Sequence, residues 1–188
     1  MELIGTVGRL QVQRSRLKPG PRGARVYDPA PLLEVEALEV GPRGCVGLRA
    51  GERVIDVHHA DHPDSRNRDL VNGVSLLPRT HYARLQERYG DHLQVGVAGE
   101  SLLVDLVGPW PEGSDLLLET SAGRLRLTGV LAAPPCVEFS RFCLRLPVEE
   151  VGEDVRQALV DLDGGLRGYY AGVHGHGTVL VGARLWTA

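Results

Sequence analysis

Short segments of alternating apolar and polar residues recur along the whole chain, separated by glycines. Leu33-Glu34-Val35-Glu36-Ala37, Arg124-Leu125-Arg126-Leu127-Thr128 and Thr178-Val179-Leu180-Val181 all follow period two. That spacing puts every second side chain on one face of a strand. Similar runs occur at Arg9 to Gln13, Val54 to Val57, Val74 to Leu76, Leu93 to Val97, Leu102 to Val107 and Tyr169 to Val173. Glycine supplies 24 of 188 residues, against an ordinary share of about 7%, as tight connections between many short strands require. The rhythm predicts a mainly β fold, a closed or nearly closed β-barrel.

Two segments break the alternation, and the expected architecture is a barrel with two or three peripheral helices. Thr80 to Tyr89 spaces Tyr82, Leu85 and Tyr89 helically and meets Gly90, a helix stop. Asp154 to Leu162 carries Val155, Ala158, Leu159 and Leu162 at i, i+3, i+4 and i+7, with Glu153 and Asp154 in its first turn. Lys18 to Pro31, with Pro19, Pro21, Pro29 and Pro31, reads as a surface loop, because too few residues precede it to fold alone. The length suits one domain over 1–188.

Hydrophobic residues at 43% and charged residues at 24% fit ordinary globular usage. No apolar run reaches the length of a bilayer span. The start, Met1 to Gly5, lacks a basic stretch followed by an apolar core, so no export signal and a cytoplasmic location are expected. A net charge of −3 supplies no general drive toward nucleic acid or anionic lipid, and neither is expected as a partner. Of the 21 basic residues only Lys18 is lysine. Arginine binds phosphate in a forked way that lysine cannot, but codon bias in a GC-rich genome is the preferred account of the excess. Cys45, Cys136 and Cys143 are an odd number without a Cys-x-x-Cys pair, which argues for free thiols.

Cys136 follows Ala132-Ala133-Pro134-Pro135. Two prolines stiffen that strand exit and donate no hydrogen bonds, as a sulfur carrier or metal ligand needs, with Arg141 near in sequence. The residues alone favour a buried cysteine packed as a small hydrophobe. Cys143, beside Phe142 and Leu144, reads as core or as a resolving thiol, and Cys45 as part of a turn. Gly96 to Leu102 lacks the Gly-Lys-Ser/Thr ending of a nucleotide loop. Asp56 to Asp64 concentrates His58, His59 and His62 with three aspartates. It resembles a metal site, although Pro63 biases His62 out of helical register with His58. His174-Gly175-His176-Gly177 reads as a hairpin turn. Arg167 would neutralise an anion, or close the barrel through an ion pair with Glu100.

Three short motifs in order, Gly99-Glu100-Ser101-Leu102, Pro135-Cys136 and Arg167-Gly168-Tyr169-Tyr170-Ala171, make the chain similar to the MOSC family along nearly its whole length. That family comprises the C-terminal domain of molybdenum-cofactor sulfurases and small stand-alone bacterial proteins. The resemblance implies that Cys136 accepts sulfur as a persulfide or ligates molybdenum directly. It further implies molybdenum cofactor (molybdopterin) contacts from Arg167, Gly168, Gly99, Glu100 and Ser101, with His58, His59 or His62 near the pocket. Ser101 stands where asparagine is common, and serine lacks the amide donors. A cysteine-desulfurase-type sulfur donor or an electron-transfer partner would follow, the latter for reduction of N-hydroxylated compounds. Two other classes stay open: a non-catalytic pterin- or partner-binding barrel with a vestigial cysteine, and a histidine-metal hydrolase built on His58 to Asp64.

Overall fold

In the computed structural model, which describes residues 1–65, 67 and 69–188, β1 (Leu3–Gln13) is the longest strand, and the barrel closes on it. It pairs antiparallel with β12 (Arg184–Thr187) on one side and β7 (Leu102–Leu106) on the other, while its C-terminal end adds the short β2 (Leu32–Glu34). The circuit runs from β12 through β8 (Leu116–Thr120), β9 (Gly123–Ala132), β10 (Tyr169–His174), β6 (Val74–Pro78) and β7 back to β1. Seven strands therefore close a barrel and β2 is an extra strand on its rim. A second sheet, ordered β11 (Gly177–Leu180), β3 (Ala37–Gly41), β4 (Gly44–Arg49) and β5 (Glu52–Ile55), lies against it. Leu38, Val40, Cys45 and Val179 of that sheet share one apolar core with Leu10, Leu76, Leu102, Leu118 and Leu127 of the barrel.

The pairing of β6 with β7 is parallel, the other barrel pairings antiparallel. A parallel pair needs a crossover, and α1 (Arg79–Tyr89) provides it. Every residue of β6 is buried because the strand is covered on both faces. Leu76 points into the barrel core, whereas Leu77 and the neighbouring Leu103 meet Tyr82 and Leu85 of α1. The same outer cluster takes in Phe139 and Cys143 of α2 (Val137–Leu144) and Leu162 of α3 (Glu153–Leu162). The barrel wall and three helices thus enclose a second core, and the site described below lies at its edge.

Several local expectations change. Leu93 to Val97 forms turns rather than a strand, its Leu93 buried under α1. Leu33 to Ala37 is broken at Val35-Glu36, where the chain passes from β2 to β3. The segment His174 to Gly177 is not a hairpin: β11 leaves the barrel and pairs with β3, not with β10. Cys45 sits within β4, fully buried, its thiol donating to the Gly73 carbonyl at 3.2 Å. Helix α2 was missed, because the aromatic-rich run Val137 to Leu144 is short and follows two prolines. No helix among the described residues is long and apolar enough to cross a membrane.

Candidate functional site, a thiol at a helix start in a basic pocket

The chain leaves β9 at Ala132, passes the two prolines and enters α2, with Cys136 at its N-cap position. The prolines that stiffen the exit also end the strand, since neither can donate to a ladder. Cys136 has extended backbone angles of φ −134° and ψ 151°, and its carbonyl accepts the first helical hydrogen bond, from Ser140 N–H at 3.0 Å. Its side chain makes no cap bond and is half-buried. The first-turn N–H groups of α2, next to Cys136 in the chain, give this end of the helix a partial positive charge.

A second glycine-rich segment brings Arg167 to the same place. The Ala133 N–H donates to the Gly168 carbonyl at 2.8 Å, tying the segment before the cysteine to the one that carries the arginine. Gly168 adopts φ +106°, and a Cβ there would stand 2.8 Å from the Leu76 carbonyl oxygen, so only glycine allows this approach. The Arg167 guanidinium lies 4.4 Å from the Phe139 ring centroid, a cation–π contact. Burial works against its charge, but the Tyr27, Tyr170 and Cys136 groups around it raise its pKa, so the site keeps a permanent cation. Tyr27 packs edge-on against Phe139 at 4.9 Å and donates to the Val97 carbonyl at 2.6 Å. Burial raises its pKa, so it stays a phenol.

These groups open into a cavity of about 260 Å³. Cys136, Arg167, Tyr27, Tyr170, His58 and Gln13 line it, together with Arg16, Lys18 and Arg25 from the loop after β1. Arg16 pairs with Asp64 at 3.2 Å. Lys18, Arg25 and Arg167 have no carboxylate within ion-pair distance among the described residues. The pocket therefore carries a net positive charge next to an accessible sulfur, a setting that binds anions.

His58 enters from the loop after β5. Its Nδ1 lies 2.9 Å from Asp56 Oδ1, and the same oxygen accepts the His58 backbone N–H at 2.8 Å. Asp56 is buried and its other oxygen accepts Gln13 N–H at 2.7 Å. With Nδ1 donating to the carboxylate, Nε2 is left as an acceptor. The other histidines go elsewhere. His59 packs beside Gly44 and near Asp61 at 3.7 Å, and His62 Nε2 reaches the Arg14 carbonyl at 3.1 Å. Among the described residues no three His, Cys, Asp or Glu side chains converge as a metal-binding group, so the Asp56 to Asp64 cluster does not form the metal site its composition suggests. The turns of this loop spread the three imidazoles.

Gly99, Glu100 and Ser101 are all buried, one layer behind the pocket wall. The Gly99 carbonyl accepts the Gln13 amide at 2.7 Å, and a Cβ on Gly99 would collide with Leu17 and Gln13, both pocket residues. Glu100 Oε2 accepts the Tyr82 hydroxyl at 2.8 Å, while Oε1 has no hydrogen-bond partner. Burial raises its pKa to about 7, against its own backbone N–H, Tyr82, Arg167 and Arg9, which favour the anion. Ser101 bonds Ser75 across β6 and β7. Arg141 donates to the Glu150 carbonyl at 2.5 Å and lies outside the thiol pocket. Cys143 is buried, with burial pushing its thiol up to about 12. It is seven residues along α2 from Cys136, about 10 Å of helix rise, too far for a disulfide.

Sequence reasoning passed over Gln13, Arg16, Lys18, Arg25, Tyr27 and Tyr170. The only lysine and the Tyr169-Tyr170 pair were available signals. What was missing was the folding of the proline-rich loop over the thiol.

The site defines a class: small barrel domains that present a cysteine at a helix start inside a basic pocket. The sequence profile of the MOSC domain matches residues 63–186, and the chain belongs to the MOSC domain family. Cys136 and Arg167 fall inside that match, and the loop that contributes Arg16, Lys18 and Arg25 falls before it. No curated protein matches the chain significantly. Three solved structures share the fold. The YuaD protein from Bacillus subtilis is 13% identical with a TM-score of 0.58, over 98% of this chain and 96% of its own. A hypothetical protein is 14% identical with a TM-score of 0.57, over 99% and 69%. YiiM from Escherichia coli is 14% identical with a TM-score of 0.52, over 83% of this chain and 64% of its own.

Proposed function

We propose that the pocket holds a molybdenum-bearing, phosphate-bearing pterin through Cys136 and its ring of cations. The observation that carries this reading is the juxtaposition of a half-buried thiol, without a hydrogen-bond partner among the described residues, with Lys18, Arg25 and Arg167. The donor set fits: thiolate is a soft ligand suited to a transition metal, and forked guanidinium donors suit a phosphate. Cys136 would hold the metal, Arg167 and Arg25 the anionic tail, and Lys18 would cover the mouth. When bound, such a cofactor supplies two-electron redox chemistry. His58, fixed by Asp56, would accept or return a proton at Nε2. Electrons for turnover would come from a partner protein, and the protein would work in the cytoplasm.

The accessibility of the Cys136 sulfur supports a second reading, sulfur transfer from a cysteine-desulfurase-type donor. The thiolate attacks the terminal sulfur of a donor persulfide, forming a new S–S bond as the donor thiolate leaves. The positive surroundings would steady both anions.

One variant tests both. Cys136→Ser replaces a soft, acidic group with a hard, weakly acidic one of nearly the same shape. In protein made by a host that synthesises the cofactor, the variant is expected to lose molybdenum retention and persulfide formation while its melting temperature stays near wild type. Loading that matches wild type would assign the cysteine to a vestigial role in a binding barrel.

A further inference from the structure

A larger cavity lies beside the thiol pocket and shares one residue with it. It measures about 570 Å³, and Tyr170 lines both. The segment that carries the thiol also borders it, since Leu131, Ala132 and Pro134 are in its wall and Cys136 follows two residues later. Tyr170 and Leu131 are direct cross-strand partners of β10 and β9, and such pairs bring their side chains together on one face.

The chemistry of this second cavity differs from that of the first. Its lining includes no Lys, Arg, Asp or Glu among the described residues. Leu70, Val71 and Leu131 meet there although 37%, 57% and 70% exposed. Backbone geometry holds the patch open. The β9–β10 register shifts between Tyr170 and Gly172, and Gly129 at φ +58° lies in the bulged stretch that turns Leu131 outward. Leu70 has φ +57°, a conformation unfavourable for a bulky side chain and retained where the surroundings over-determine it, often at binding sites. Three exposed apolar residues are too few for a stable protein interface of roughly 800 Å² per partner. A concavity of this size instead lies in the range of small-molecule sites, about 300–1,000 Å³.

We propose that this cavity binds a neutral, largely apolar small molecule, an aryl or alkyl compound with one hydrogen-bonding head group, seated so that the head faces Tyr170 and the thiol pocket beyond. It is the place from which an acceptor or substrate would reach the Cys136 centre, and to that extent it rests on the function proposed above. Asn72, Thr128 and His174 supply the few polar contacts.

The test uses Cys136 as a local reporter on the whole protein. Cys136 alkylation by N-benzylmaleimide is expected to saturate with concentration and to exceed that by N-methylmaleimide by about tenfold, after correction for their rates with free cysteine. Leu131→Arg and, on a separate segment, Val71→Asp should abolish the benzyl advantage and leave the N-methylmaleimide rate unchanged. Equal corrected rates in wild type, or an advantage that survives both variants, would overturn the proposal. If Cys136 reacts with neither reagent, the reactive-thiol reading fails separately, and saturation-transfer NMR with 4-butylphenol decides the cavity. Binding lost in both variants supports it, whereas absent binding or equal binding of naphthalene-1-sulfonate overturns it. A wild-type dimer that Leu131→Arg converts to monomer would make the patch a self-association surface and would also overturn it.

Discussion

Replacing Glu100 by glutamine should remove a pH dependence of stability that this one carboxyl builds into the fold. Glu100 is 3% exposed, with one oxygen bonded by Tyr82 and the other unpaired, and burial raises its pKa from 4.5 to about 7. A carboxyl whose pKa is raised in the folded state binds its proton more tightly there than in the unfolded chain. Its contribution is therefore fully present below pH 4.5 and is lost as pH rises through about 7. The shift corresponds to about 3 kcal/mol at about 1.4 kcal/mol per pH unit, a large part of the stability of a domain of this size. The assay is urea unfolding from pH 5 to 9 on wild type and Glu100→Gln. Between pH 5 and about 7 the Glu100 carboxyl should cost wild type on the order of 3 kcal/mol, and the variant should lack this decline, so that the difference between the two proteins isolates Glu100 from every group they share. A Glu100→Gln protein with the wild-type decline would refute the reasoning and assign the basic limb to another group. The acid limb is a control. His81 is buried with its pKa lowered by burial and by Arg84, so its stabilising effect is lost as pH falls below 6.5, in both proteins alike.

Brief labelling with iodoacetamide followed by peptide mapping should modify Cys136 before Cys45 and Cys143, which are 0% and 1% exposed; prior modification of Cys143 would refute the pocket geometry. Arg167→Ala should weaken binding of inorganic phosphate or a pterin phosphate through loss of a charge-assisted bond, about 1.5–3 kcal/mol, and should move the Glu100 midpoint to higher pH, because Arg167 favours its anion. Unchanged affinity with a large drop in melting temperature would make the arginine purely structural. Gly168→Ala should destabilise by a few kcal/mol, since it puts a Cβ 2.8 Å from the Leu76 carbonyl at φ +106°; a melting temperature equal to wild type would show that the strand can yield.

The alternation of Arg124 to Thr128 and of Thr178 to Val181 determined their strands, and the i, i+3, i+4, i+7 spacing from Val155 determined α3, because those periods follow from local backbone geometry and the burial of one face. The family was legible in three short motifs, since a glycine-permitted turn and a proline-stiffened thiol are local features. Tertiary structure decided the rest. The basic wall of the pocket comes from a loop more than a hundred residues before Cys136, and no local pattern encodes which distant surface a proline-rich loop will cover. Glu100 lies in a motif expected to touch a ligand, yet it is buried and takes the Tyr82 hydroxyl of α1, while Gln13 and Leu17, at and just after the end of β1, pack between the neighbouring Gly99 and the pocket. The three histidines look alike as neighbours in sequence. Only the folded loop selects His58, because a single buried carboxylate, Asp56, is positioned to hold its ring and no comparable group holds the others toward the thiol.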